Sequence, residues 1–254
     1  MKITFLGTGT SQGVPIIACQ CPICLSKNPK DNRLRSSLLI QTHNGNLVID
    51  SGPDFRQQML RQKVTDLRAL LFTHGHKDHT AGMDDIRAFN YILQKPIDIY
   101  ADNATIQVLK KDFDYAFSDK KYPGVPELEI HEIINQPFCI DQTVITPIEV
   151  LHYKLPVYGF RINDFTYITD ANYISDIEKN KIKGSRILVL NALRKEPHIS
   201  HFSLSEAITL AQEIGAEQTY FTHISHQLGL HEEVQIQLPE NIYLAYDGLT
   251  IEIN

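Results

Sequence analysis

No stretch of this 254-residue chain approaches the roughly 18 apolar residues that a membrane span requires. The opening Met1-Lys2-Ile3-Thr4-Phe5-Leu6-Gly7 also has no apolar run long enough for a signal peptide. A soluble, unexported, cytoplasmic protein is expected. A surplus of positive charge is missing too. The 24 Lys plus Arg stand against 30 Asp plus Glu, a formal net charge of −6 with His neutral. Phosphate-backbone binding rests on clustered cations, so a broad nucleic-acid surface is disfavoured without being excluded. A small phosphorylated substrate stays open. With no Ser/Gly linker, charge block or internal repeat, residues 1–254 read as one domain. The 43% of hydrophobic residues excludes a disordered or collagen-like chain.

A disulfide framework is absent as well, because three of the four cysteines fall together at Cys19, Cys21 and Cys24 and leave Cys139 alone. Clustering of that kind reads as metal binding. Cys139, between Phe138 and Ile140, reads as a small core hydrophobe. Gly7-x-Gly9 lacks the further glycine of a dinucleotide loop: Gln12 holds that place, Gly13 comes too late and no helix opens behind it. These glycines read instead as allowing close backbone packing in a loop near the metal site.

Short apolar runs predict strands at Ile3 to Leu6, Ser37 to Gln41, Leu47 to Ile49, Ala69 to Phe72, Ile97 to Tyr100 and Leu128 to Ile134. Further strands are expected at Val144 to Val150, Tyr158 to Ile162, Phe165 to Ile168, Ile187 to Leu190, Thr219 to Phe221 and Ile242 to Ala245. The pair Asp247-Gly248 between two apolar segments predicts a C-terminal β-hairpin. Leu204, Ala207, Ile208 and Ala211 form a helical stripe, opened by Ser203 with Glu206 three residues on and closed by Gly215. A second stripe is Met83, Ile86, Phe89 and Leu93; a third helix is expected from Pro53 to Arg61 and a fourth after Asp102. Helices among so many strands suggest an α/β protein of two packed sheets with helices outside.

The chemistry centres on His74-Gly75-His76-Lys77-Asp78-His79, placed after the Ala69 to Phe72 strand and before the second helix. Imidazoles two residues apart on a tight loop can converge on one cation, while the following Asp-His pair can serve a second. His152, Asp170 and His223 each stand just beyond a predicted strand, where a rigid sheet positions side chains for a pre-organised site. His198 and His201 precede the Ser203-capped helix.

This pattern resembles the metallo-β-lactamase superfamily, whose His-x-His-x-Asp-His loop is followed by a His, an Asp and a last His. The resemblance runs over nearly the whole chain and implies the superfamily's four-layer αββα sandwich of two mixed sheets with outer helices. By resemblance His74, His76 and His152 hold one metal, Asp78, His79 and His223 the other, and Asp170 bridges them. Asp50, in Val48-Ile49-Asp50-Ser51-Gly52, matches the acidic residue that steadies the loop from behind. Within the superfamily, three stretches are similar to the PhnP-type phosphodiesterases, which act on phosphoribosyl cyclic phosphate: Gly7-Thr8-Gly9-Thr10-Ser11-Gln12-Gly13-Val14-Pro15, the cluster Cys19-x-Cys21-x2-Cys24, and Thr222-His223-Ile224-Ser225-His226-Gln227. That likeness implies a separate structural zinc held by Cys19, Cys21, Cys24 and His226 in a loop around 19–24. Three thiolates and an imidazole would close its tetrahedral shell.

Two cations a few ångströms apart can share one hydroxide and clamp both oxygens of an in-line displacement at phosphorus. The expected function is therefore a dinuclear metal-dependent phosphodiesterase acting on a small, cyclic phosphodiester. Two Zn or Mn ions would sit in the active site and one Zn in the structural site. Asp78 is expected to be catalytic as well as a ligand, and His201 to assist the leaving group as a general acid titrating near neutrality. Two alternatives stay open: a tRNase Z-like RNA-processing nuclease, which shares the loop, and a non-catalytic protein of the pyrroloquinoline-quinone biosynthesis B type. A homodimer also stays open.

Overall fold

The computed structural model describes residues 1–118 and 122–253. Its contacts divide the chain into two compact units, each built on one seven-stranded sheet.

The first unit comprises Met1–Leu6, Ser37–Ile134 and Thr250–Asn254. Its strands are β1 (Lys2–Gly7), β2 (Ser37–Thr42), β3 (Gly45–Ile49), β4 (Ala69–Leu71), β5 (Ile97–Ala101), β6 (Leu128–Glu132) and, from the far end of the chain, β14 (Thr250–Glu252). They lie in the order β14-β1-β2-β3-β4-β5-β6. β3 to β6 run parallel, and parallel neighbours need long crossovers. These carry α1 (Phe55–Gln62), α2 (Lys77–Thr80), α3 (Arg87–Leu93), α4 (Asn103–Asp112) and α5 (Asp114–Phe117). Phe55, Met59, Phe89, Ile106 and Leu109 from the helices pack with Val48, Leu70 and Ile99 of the strands in one buried cluster. Each such side chain contributes about 1.5–3 kcal/mol on leaving water. The expected Met83/Ile86/Phe89 stripe is buried, but it is split between a 3₁₀ turn, Met83–Ile86, and α3. Gly82, between α2 and the 3₁₀ turn, lies so close to the preceding loop that a Cβ there would run into the Gly52 carbonyl.

The second unit comprises Gly7–Ser36 and Asn135–Leu249. Its sheet has the order β13-β12-β11-β10-β9-β8-β7, from β7 (Phe138–Ile140), β8 (Thr143–His152), β9 (Leu155–Ile162), β10 (Phe165–Tyr167), β11 (Ile187–Asn191), β12 (Gln218–Thr222) and β13 (Ile242–Leu244). β7 to β10 are antiparallel and β10 to β13 parallel. The crossovers hold α6 (Asp176–Ile182), α7 (Leu204–Ile214) and α8 (His231–Gln235). Every residue of β11 is buried, which accounts for its unbroken apolar run. α7 opens with the expected capping box, Ser203 and Glu206 exchanging hydrogen bonds, and closes at Gly215 with φ 70°; such a cap stabilises a helix by about 1 kcal/mol. Its buried side is Ala207, Leu210, Ala211 and Ile214, with Leu204 and Ile208 only partly covered.

Two expectations are corrected. The chain does not end in a β-hairpin: β13 pairs with β12 and β14 with β1. Of the two central turn residues only Gly248 has a positive φ, whereas the hairpin turn expected of Asp-Gly requires it at both. The Asp247 carboxylate instead accepts from Thr8 Oγ1 at 2.8 Å and from Leu34 N at 2.9 Å. Cys139 is exposed on β7, at the edge of its sheet, and not in the core.

Candidate metal centre

In the first unit the parallel strands deliver their carboxyl ends side by side. Asp50 follows β3 at φ 63°, with its backbone N–H on Leu71 O at 2.9 Å, and Thr73 and His74 follow β4. The fully buried Asp50 carboxylate accepts from Thr73 N and Thr73 Oγ1, each at 2.9 Å, and from His79 Nδ1 at 2.7 Å. Burial pushes this carboxyl above its usual range, and His79 and Thr73 pull it back. An ionised carboxylate can only accept, so Nδ1 of His79 carries the hydrogen and Nε2 presents a lone pair. That Nε2 lies 3.1 Å from Asp78 Oδ2. His76 stands at the N-cap of α2, exposed, and its Nδ1 is 2.9 Å from Nε2 of the buried His74. The His74 ring centroid lies 4.3 Å from that of His79 and 4.5 Å from that of His76. The hexapeptide thus gathers three imidazoles and a carboxylate on one turn.

The second unit gathers its own set. His152 is the last residue of β8, held by the two-residue turn that leads into β9. Its Nδ1 donates to Ser200 O at 2.9 Å, which puts the lone pair of the ring on Nε2. Asp170 follows β10 at φ 55° and His223 follows β12 at the same φ. Non-glycine residues rarely take this left-handed backbone, and Asp, Asn and His tolerate it best. Thr169 Oγ1 donates to Asp170 Oδ1 at 2.7 Å, and His223 Nδ1 lies 3.0 Å from that oxygen. His201 is buried, with its ring centroid 4.6 Å from His152 and 4.8 Å from His223, while the ring of His198 is 5.2 Å away. Burial, and then the neighbouring His223, hold the His201 imidazolium down to about 3. The ring is therefore neutral at pH 7, contrary to the near-neutral titration expected of it. Its Nδ1 is buried with no hydrogen-bond partner among the described residues.

A separate cluster in the same unit unites Cys19, Cys21, Cys24 and His226. His226 Nδ1 lies 3.4, 3.3 and 3.5 Å from the three sulfurs in turn. Tetrahedral zinc with ordinary bond lengths separates sulfur from nitrogen by about 3.5 Å, so the donor set fits that ion. Mainly through the Cys24 backbone N–H, the Cys21 thiol is lowered to about 6, while burial raises Cys24 to about 11. Gly9 packs as expected, its amide on Leu34 O at 2.7 Å and its backbone bridged to Ile224, next to His223. A Cβ at Gly9 would meet Arg33 O at 2.8 Å.

Sequence reasoning missed Thr73 and Asn191. Asn191 closes β11; its amide donates to Ala171 O at 2.9 Å and accepts from Ala171 N at 2.8 Å, fixing the backbone beside Asp170. The available signal was a lone amide side chain ending the apolar run Ile187–Leu190.

Comparison with known proteins places the chain in a family. The model of the beta-lactamase superfamily domain matches residues 45–224. The chain belongs to the metallo-β-lactamase superfamily. A crystal structure of a new diphosphatase from the PhnP family is similar at 38% identity and a TM-score of 0.94, covering 100% of this chain and 98% of that one. Zn(2+)-bound PqqB from Methylobacterium extorquens has a TM-score of 0.80 over 100% of both chains, at 18% identity. The octanoyltransferase of Porphyromonas gingivalis is 36% identical over 252 residues, 98% of this chain and 51% of that protein. This chain therefore spans about half the length of that relative. The two mixed seven-stranded sheets with their helices are those of the superfamily's α/β sandwich. The superfamily's fold implies divalent metal ions, and the His/Asp groups described above could hold them. No helix among the described residues is long and apolar enough to cross a membrane.

Proposed function

We propose that the chain acts as one catalytic domain, a dinuclear metal-dependent phosphodiesterase for a small, cyclic or diphosphate-bridged phosphodiester. In this reading His74, His76 and His152 would hold one metal and Asp78, His79 and His223 the other, with Asp170 shared. Cys19, Cys21, Cys24 and His226 hold a structural zinc. The observation that carries the reading is the fixed tautomer of the donors. Asp50 and Ser200 O each take the Nδ1 hydrogen of a histidine and so put the lone pair of that ring on Nε2, the atom that would ligate. The likeness to a PhnP-family diphosphatase supports phosphorus as the reacting atom and a substituted diphosphate among the substrates, since each phosphorus of such a compound, like that of a phosphodiester, carries two bridging oxygens and a single ionised charge.

When bound, two divalent ions would lower the pKa of a water and offset charge on the phosphoryl oxygens. The water oxygen forms the new bond to phosphorus and the bond to the leaving oxygen breaks; of the two protons of the water, one ends on the leaving oxygen and the other stays with the phosphate product or passes to solvent. Asp78 would orient the water through its carboxylate. His201 would meet the leaving oxygen. A buried nitrogen without a partner costs about 1–3 kcal/mol, and a substrate oxygen would relieve that cost at Nδ1. A neutral ring would act there as an N–H donor and not as an imidazolium.

The experiment is metal content by mass spectrometry together with hydrolysis of bis(p-nitrophenyl) phosphate, with and without added manganese. About three metals per chain and metal-dependent turnover are expected. One tightly held zinc and no turnover under any metal would overturn the reading in favour of a binding protein that keeps the fold.

A further inference from the structure

The loop between β11 and α7 carries His198 and His201, and its course is set by unusual means. Its base is closed by Leu193 N on Phe202 O at 3.0 Å, Leu204 N on Arg194 O at 2.8 Å and Phe202 N on Ala171 O at 2.8 Å. Beyond that base, residues 195–201 make no backbone-to-backbone hydrogen bond among the described residues. Side chains do the holding. Arg194 Nε donates to Glu196 O at 3.2 Å, and Nη2 donates to Pro197 O at 2.9 Å. Its remaining arm, Nη1, donates to Gln227 Oε1 at 3.0 Å. On the opposite limb, His152 Nδ1 takes Ser200 O.

Gln227 belongs to the short segment that also bears His223 and His226. That segment is tied to the start of the loop by Ala192 N on Thr222 O and Ser225 N on Leu193 O, both at 3.0 Å. We propose that Arg194 is a positioning residue: its three-way guanidinium clasp fixes the loop bearing His198 and His201 to the segment that links His223 with the cysteine–histidine cluster. Three of the five N–H groups of Arg194 are committed to protein oxygens. A lysine could not replace it, because one ammonium cannot span two successive loop carbonyls and a separate amide in a fixed plane. Thus the state of the Cys19/Cys21/Cys24/His226 cluster reaches His201 through Gln227 and Arg194. The catalytic consequence rests on the proposed phosphodiesterase reading; the mechanical one does not.

The test uses Arg194→Ala, Arg194→Lys and Gln227→Ala in the full-length, metal-loaded protein, with two substrates. 2′,3′-Cyclic AMP has an alkoxide leaving group that needs help, and bis(p-nitrophenyl) phosphate has one that leaves unaided. With the clasp broken, kcat for 2′,3′-cyclic AMP should fall about tenfold or more with KM within about threefold, and the nitrophenyl ester should lose less than about threefold. Arg194→Lys should behave as Arg194→Ala. Gln227→Ala should fall in between, and adding it to Arg194→Ala should cost nothing more.

Hydrogen exchange provides the readout that does not depend on turnover. The hydrogen-bonded amides of Leu193, Ser200, Phe202, Ser203 and Leu204 should exchange faster in both single variants and, in the wild type, after a chelator strips the cysteine cluster. Unchanged exchange there, equal losses on both substrates, or a wild-type-like Arg194→Lys would each overturn the proposal. If the wild type turns over neither substrate, the function reading fails, and exchange alone decides the role of Arg194.

Discussion

Replacing Asp50 by Asn isolates what one buried carboxylate does for the metal-binding turn. The substitution keeps the shape of the side chain and suits the backbone, because Asn tolerates the φ of 63° found there. What changes is hydrogen-bond polarity. Asp50 accepts three hydrogen bonds, at 2.9, 2.9 and 2.7 Å, whereas the Asn carbonyl can still serve Thr73 N but the amide must donate towards Thr73 Oγ1 and His79 Nδ1. The Thr73 hydroxyl can rotate to accept. The His79 ring can accept only by moving its hydrogen from Nδ1 to Nε2, which removes the lone pair that faces the ligand position. Loss of such a supporting partner costs about 10- to 100-fold in metal affinity.

Global stability should change little, by about 1–2 kcal/mol. The lost charge-assisted bonds are offset by relief of a buried charge that burial already disfavours. The assay is a chelator competition read by mass spectrometry, alongside urea denaturation of the metal-free protein. One active-site metal should weaken by that factor while the structural site keeps its ion. An Asp50→Asn protein that folds normally and binds all its metals as tightly as the wild type would refute the tautomer argument.

Other consequences are equally direct. His76→Ala should abolish hydrolysis while leaving the urea midpoint within about 0.5 kcal/mol of wild type, because the side chain is exposed at the N-cap of α2; residual turnover above a few per cent would remove His76 from the ligand set. Cys21→Ala should lose one zinc per chain and lower the melting temperature, measured by mass spectrometry and calorimetry; unchanged zinc content would dissolve the structural site. His231 is buried, and burial followed by the nearby Arg33 lowers its pKa from 6.5 to about 4. The unfolded chain therefore takes up a proton between those values that the folded chain refuses. Stability should fall as the pH drops from 6.5 towards 4, by at most about 3 kcal/mol. Urea titrations of wild type and His231→Gln should differ in slope across that window, and parallel curves would contradict the assignment.

Much of this was readable from residue order because the site uses strand ends. A strand announces itself by apolar residues: Asp50 is the first polar residue after Ile49, and Asp170 and His223 follow Ile168 and Phe221 across a single threonine, Thr169 and Thr222. The hexapeptide and the cysteine cluster are local in sequence, so spacing alone displays them. What depended on geometry was lost. The Asp247-Gly248 signal marks a real turn, with Leu249 N on Tyr246 O at 3.0 Å, but its handedness cannot be read from two letters. α6 carries its own start signal in Ser175 and Glu178, yet seven residues offer too short a stripe to reveal a helix by periodicity. Cys139 looked apolar among its neighbours, although a strand alternates faces and an edge strand exposes one of them. The roles of Thr73, Asn191 and Arg194 rest on contacts made across the fold, which composition does not encode.

The left-handed backbone at Asp50, Asp170 and His223 has a consequence for anyone who would re-engineer this centre. A position at positive φ accepts a small alphabet, chiefly Gly, Asn, Asp and His, and penalises β-branched or bulky side chains by about 1–2 kcal/mol before any chemistry is considered. Randomised libraries at these three sites would therefore be filtered twice, first by the chain's own geometry and then by activity. New reactivity is more accessible at His152 and His201, whose backbones impose no such filter, so variation in substrate range should concentrate on those loops while the αL positions hold the scaffold of the reaction constant.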